Sequence, residues 1–224
     1  MTVGPRPLFD VDPLRHRDRA TIGVLRQAGP VVVLGSRQDV GVLDASALRR
    51  DEVEVRRRRG GGGAVLLVPE DCWVELWLPG AGGVTEDVRA TACLAGEWWR
   101  AAFAAHGVTA TVHRGGMVHH DEGAVACFAG LGPGELTILG RKVLGLSQWR
   151  CREGVLVSAV VAARPPEALR AYLAASAPRT PSLPDATSLR EAAPQSSADA
   201  LAASLRDEVS AAIPSLTSDN DVFT

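Results

Sequence analysis

No apolar run in this chain approaches the roughly 18 residues that a membrane span needs, and no basic start followed by an apolar segment marks an export signal. A soluble, cytoplasmic protein without a membrane partner is the expectation. Charge of one sign is missing too. With 24 Lys+Arg against 26 Asp+Glu the formal net charge is −2, so the surface as a whole is no trap for nucleic acid, and any basic site is local. Cysteine is sparse. Cys72, Cys93, Cys127 and Cys151 form no CxxC pair, which signals neither a structural zinc site nor a disulfide framework, and free thiols follow. His119, His120, Asp121 and Glu122 resemble metal ligands only at first sight. Neighbours on an extended segment point to opposite faces, so this stretch reads as a polar loop and no metal site is expected. No internal repeat is present at a useful period.

What is present is enough apolar residue, 46% of 224, for one domain with a sizeable core. The first 30 residues carry little pattern beyond the composition of a short helix at 18–27. VVVLG (31–35) reads as a buried strand, DASALRR (44–50) as helical, and AVLLV (64–68) and WVELWL (73–78) as strands joined by a PED turn. In the second of these, alternation sets Glu75 on one face between Trp73 and Trp77. Thr85, followed by two acids, reads as the N-cap of the longest helix, which stops at Gly107; of Trp98 and Trp99, at most one is expected to face the core. Strands predominate from 108 to 163. Pro165 and Pro166 open a helix over EALRAYLAA, and Ser196 with Asp199 caps a last helix with Leu201, Leu205 and Val209 on one face. The chain from Pro214 reads as frayed. Strands, one long helix, more strands and two helices make an α+β, or mixed α/β, domain.

Residues 55–65, VRRRRGGGGAV, carry the strongest local signal. No Lys-Ser or Lys-Thr follows the glycines, so this is no Walker loop; AVLLV is a strand, so the glycines do not open a helix as a dinucleotide fingerprint requires. Two readings stay open from these residues: an anion cradle of backbone N–H groups with flanking guanidinium charge, or a solvated turn.

RRRRGGGGAV resembles the RRxSGGGAV signature of the lipoate-protein ligase A family, within the biotin/lipoate ligase superfamily. GRKVLGLSQWRCREGVLVSAVV (140–161) is similar to that family's GKKIxGSAQxR block and following strand, and VVVLGSRQ to its opening strand and turn. The resemblance spans 31–213, leaving an N-terminal segment 1–30, a tail 214–224 and no large accessory domain. It implies a mixed, mainly antiparallel sheet flanked by helices. It further implies ATP-dependent activation of lipoate or octanoate, with Mg2+, to an acyl-adenylate, and transfer to a lysine of a lipoyl carrier domain, either a 2-oxoacid dehydrogenase subunit or the glycine cleavage H protein. Lys142 takes the place of the family's lysine at the reacting carbonyl. Arg58, Gly61, Gly62, Gly63, Ala64, Gly145 and Ser147 fall at substrate- and nucleotide-binding positions. Leu67 stands where the family has histidine, Gly60 where it has serine, and VLVSAVV lacks the family's histidine-glycine pair.

CFAGLGPGELTILGRK (127–142) resembles the CFxxxSxYELxxxGKK segment of cysteine-type octanoyltransferases, without its serine and tyrosine. That likeness implies an alternative in which Cys127 takes an acyl group from an acyl carrier protein as a thioester, without ATP. A third alternative is a homologue that binds ligand without turnover. Cys151 reads as an exposed bystander, and Trp149 as either a channel wall or a cover over a sheet edge.

Overall fold

The computed structural model describes residues 6–9, 17–80, 87–118, 125–164, 166–177 and 186–218. Its strands are β1 (Arg6–Pro7), β2 (Thr21–Leu25), β3 (Val31–Leu34), β4 (Glu54–Arg57), β5 (Val65–Leu67), β6 (Cys72–Pro79), β7 (Thr111–Val112), β8 (Leu136–Ile138), β9 (Arg141–Cys151), β10 (Gly154–Val161) and β11 (Thr217–Ser218). The helices are α1 (Ala45–Arg50), α2 (Val88–Ala105), α3 (Leu189–Ala192) and α4 (Ala198–Ala212), with 3-10 turns at Cys127–Ala129 and Pro166–Tyr172 among others.

Seven strands form the large sheet, in the order β11-β2-β6-β10-β9-β8-β7, antiparallel except for the β11–β2 pair. A smaller sheet, β1-β4-β3-β5, mixes parallel and antiparallel pairs. The α+β class with a mainly antiparallel sheet is thus the observed one.

Alternation along β6 explains the layers. Trp73 and Trp77 join the core shared with β3 and β5, whereas Val74, Leu76 and Leu78 join a second core against α2 and α4. Leu201, Leu205 and Val209 lie in that second core as expected. So do both Trp98 and Trp99: α2 buries a face wide enough for two adjacent indoles because α4, β7 and β8 all touch it.

Several local expectations change. Residues 21–25 are a strand, not a helix, because Ile22 and Leu25 enter opposite cores while the strand pairs with β6. The N-cap of α2 is Asp87, whose carboxylate accepts the N–H of Ala90 at 2.7 Å; Thr85 lies outside the described residues. Ser197, not Ser196, caps α4. The 166–172 stretch is 3-10 helix, and Thr217–Ser218 pair with β2 instead of fraying. His119, His120, Asp121 and Glu122 lie outside the described residues. Among the described residues no helix is long and apolar enough to cross a membrane.

Candidate functional site

The arginine run and the glycines after it leave the end of β4 and return into β5. Each arginine has a separate task. Arg56 pairs with Glu54 at 3.0 Å. Arg57 donates to the carbonyls of Gly35 and Gln38, both at 2.7 Å, and so clamps the turn after β3. Arg58 is buried and turned inward, donating to the carbonyls of Gly61 at 2.7 Å, Gly63 at 2.8 Å and Val33 at 3.3 Å. Arg59 lies over the Trp149 ring, 5.8 Å from its centroid. Burial pulls the Arg58 guanidinium below its usual pKa.

The loop that Arg58 gathers is tightly constrained. Gly62 has φ +92, which only glycine adopts without strain, and a Cβ on Gly35 would overlap the Gly62 carbonyl. Gly63 is pressed against the backbone of Ala126 and Cys127, and Ala64 bridges Ala126. Gly61 alone in this group has open space where a side chain would go. Gly60 carries no side chain because the Ser147 hydroxyl takes up that space and reaches the Gly61 carbonyl at 3.3 Å.

Lys142 enters β9 directly after the Leu139–Gly140 turn, whose residues have φ of 51 and 80. Its side chain is 4% exposed, and its ammonium meets three acceptors: Glu135 Oε2 at 2.6 Å and the carbonyls of Cys127 and Gly130 at 2.7 and 2.8 Å. The Phe128 ring lies 5.3 Å away. Glu135 is itself held, its oxygens accepting the N–H groups of Gly132 and Leu146. An ammonium with three acceptors and a paired carboxylate is a fixed positive charge in a dry wall.

These pieces converge. A cleft of about 440 Å3 is lined by Arg58, Gly61, Gly62, Gly63, Cys127 and Lys142, together with Arg37, Gln38, Glu135 and Leu146. The remaining residues singled out from the sequence lie around it. Gly145 and Ser147 line a void of about 10 Å3 beneath Cys127, where a Cβ on Gly145 would come 3.0 Å from the Cys127 sulfur. Ala64 lines a separate, largely apolar cavity of about 630 Å3, with Val65, Phe128, Leu169 and Tyr172 in its wall and Asp71 at its edge. Burial raises the Asp71 pKa to about 6, although its carboxylate accepts the N–H groups of Ala163 and Val68. Trp149 does not line the cleft, and Leu67, at the family's histidine position, is core. Cys151 is half-buried, not exposed. Among the described residues no three His, Cys, Asp or Glu side chains cluster as metal ligands.

Under the cleft floor, Glu75 is fully buried between Trp73 Nε1 at 2.6 Å and Ser158 Oγ at 2.7 Å, and burial raises its pKa to about 8. The sequence placed Glu75 between indoles. It did not reveal Glu135, although Glu135 stands in the same EL segment that pointed to Cys127, nor Arg37, although it lies in VVVLGSRQ.

An enclosed ammonium, a bare glycine loop and a neighbouring apolar cavity thus come together on a mixed sheet. The match to the lipoyl protein ligase A/B catalytic domain over residues 13–213 makes the chain a member of that family of ligases and acyltransferases. Solved structures agree in fold. Lipoate-protein ligase A bound with ATP superposes with a TM-score of 0.72 at 14% identity, covering 98% of this chain and 89% of that one. The bi-partite lipoate protein ligase of Thermoplasma acidophilum, studied with its E2 lipoyl domain, gives 0.70 at 15% identity, covering 91% and 74%. LipL1 of P. falciparum in complex with lipoate gives 0.66 at 14% identity, covering 91% and 54%. Among curated proteins none matches the sequence closely enough to count as a relative.

Proposed function

We propose that this chain activates a medium-chain carboxylic acid, lipoate or octanoate, with ATP and passes the acyl group to a lysine of a lipoyl carrier domain. The observation that carries the reading is the placement of the fixed Lys142 ammonium and the open backbone at Gly61 in one cleft. The cationic cleft suits the carboxylate and phosphates, and the apolar cavity beyond Ala64 and Phe128 suits a purine base.

In the first step a carboxylate oxygen attacks the α-phosphorus, the bond to the bridging oxygen breaks, and pyrophosphate leaves. In the second, the neutral amine of the carrier lysine attacks the carbonyl carbon, the bond to the phosphate oxygen breaks, AMP leaves, and the amine proton passes to solvent. Lys142 is placed to stabilise charge that grows on the carbonyl and phosphate oxygens, and the glycine loop offers N–H groups without a side chain in the way. Mg2+ would arrive on the phosphates of ATP, since Glu135 is already bonded to Lys142.

The test is incubation with ATP, a panel of acids and a lipoyl domain, followed by intact mass of the domain. An added lipoyl or octanoyl mass that requires ATP supports the proposal; an unmodified domain with every acid sinks it.

One observation favours a second reading. The Cys127 thiol lines the same cleft beside Arg58 and Lys142, with room kept for it by Gly145. Its sulfur can attack the thioester of an acylated acyl carrier protein, releasing the carrier thiol, and the carrier-domain lysine can then attack the new thioester. Incubation with octanoyl carrier protein in the absence of ATP decides it: an adduct on the chain that Cys127→Ser loses supports this route, and no adduct removes it.

A further inference from the structure

Three cations line the cleft: Arg37, Arg58 and Lys142. Two of them are already bound within the protein. The Lys142 ammonium has as many acceptors as protons, and Arg58 is 4% exposed with its guanidinium turned onto the carbonyls of Val33, Gly61 and Gly63. Both shape the wall and supply field; the Lys142 ammonium has no unused donor, and four of the five Arg58 N–H groups are already turned onto carbonyls of the protein. Arg37 differs. It is exposed, lines the cleft, and among the described residues is the one cleft cation without an ion pair or hydrogen bond of its side chain within the protein.

Its backbone is nevertheless fixed. The turn that carries it is clamped by Arg57 on the carbonyls of Gly35 and Gln38, by Gln38 Oε1 on the Gly35 N–H at 2.9 Å, and by the Ser36 N–H on the Gly60 carbonyl at 2.9 Å. Gln38 also donates to the Val125 carbonyl at 3.0 Å, joining the turn to the segment that precedes Cys127. A guanidinium on a rigid turn, lining a cleft in which Glu135, the one acidic lining residue among those described, is paired with Lys142, is a ready donor fork for an oxyanion.

We propose that Arg37 is the side chain that grips the anionic group of the ligand in this cleft, a carboxylate or a phosphate, while Arg58 and Lys142 act from fixed positions. The inference rests on the proposed function only for the choice of ligand. It is tested by calorimetric titration of the full chain, wild type, Arg37→Gln and Arg37→Lys, with octanoate, octanamide, ATP, adenosine and inorganic pyrophosphate. Arg59→Gln, an exposed arginine outside the cleft, serves as the control.

The expected result is that Arg37→Gln weakens binding of one anion class about tenfold or more, leaves its neutral counterpart unchanged, and that Arg37→Lys recovers part of the loss. A loss confined to octanoate over octanamide assigns the carboxylate; a loss confined to ATP over adenosine, with pyrophosphate following, assigns the phosphates. Wild-type binding that Arg37→Gln leaves intact for every anion overturns the inference and leaves the proposed function standing. A wild-type chain that binds no anion overturns both.

Discussion

Lys142 Nζ lies 2.6 Å from Glu135 Oε2, in a pair whose side chains are 4% and 7% exposed. Such a pair is costly to break from one side, because the partner left behind is a buried charge without compensation. Glu135→Ala is therefore expected to lower unfolding free energy by about 3–5 kcal/mol in a denaturant titration. The double replacement Glu135→Leu with Lys142→Met is expected to cost less than the sum of the two single changes. Strict additivity would show that the two groups do not act as a pair.

Gly60 and Ser147 form a second testable relationship. The Ser147 hydroxyl fills the space that a side chain at 60 would need. Gly60→Ser alone is expected to destabilise the fold by about 1–3 kcal/mol through overpacking. Adding Ser147→Ala, which removes the obstructing hydroxyl, restores most of that loss. Thermal unfolding of the four proteins gives the coupling, and a Gly60→Ser variant as stable as the wild type contradicts the contact.

Glu75 supplies a pH signature. Its folded-state pKa is raised to about 8 by burial, above the 4.5 of an exposed glutamate, so the folded chain holds a proton that the unfolded chain releases between those values. The associated stability is full below about 4.5 and is lost as pH rises through about 8. Glu75→Gln keeps the hydrogen bonds of the neutral form, so its melting temperature is expected to gain on the wild type as pH rises from 5 to 9. Parallel melting curves for the two proteins across that range would dismiss a buried, protonated carboxyl.

Much of this arrangement was legible in the sequence because the relevant signals are local. Alternation through Trp73, Glu75 and Trp77 set a carboxyl between two indoles, and the family resemblance of the glycine segment after Arg59 and of the block around Lys142 pointed to two pieces of one cleft. The strand at 21–25 was not legible, because a five-residue segment buried on both faces shows no alternation, and the partner that makes it a strand, β6, lies some fifty residues further on. Nor was the division of labour among Arg56, Arg57, Arg58 and Arg59, since several of the groups that set it, the carbonyls of Pro7, Gly35 and Val33 and the Trp149 ring, come from residues far along the chain. Glu135 was hidden for a related reason: a lone glutamate before a strand acquires meaning only when the β8–β9 hairpin folds it onto Lys142.

The cleft also makes a prediction about Gly61. With open space at its Cβ position and no positive φ, Gly61→Ala should fold as the wild type does. It should nonetheless raise KM for ATP or the acid, because a methyl group projects where the ligand is proposed to approach the backbone. Unchanged melting temperature with a several-fold higher KM fits; unchanged KM for both substrates does not.

Acid-dependent exchange of labelled pyrophosphate into ATP measures the proposed activation step by itself, with no carrier domain needed. The account predicts exchange that requires lipoate or octanoate, is lost in Lys142→Ala, and persists in Cys127→Ser. Absence of exchange with every acid, or exchange undiminished in Lys142→Ala, would contradict it.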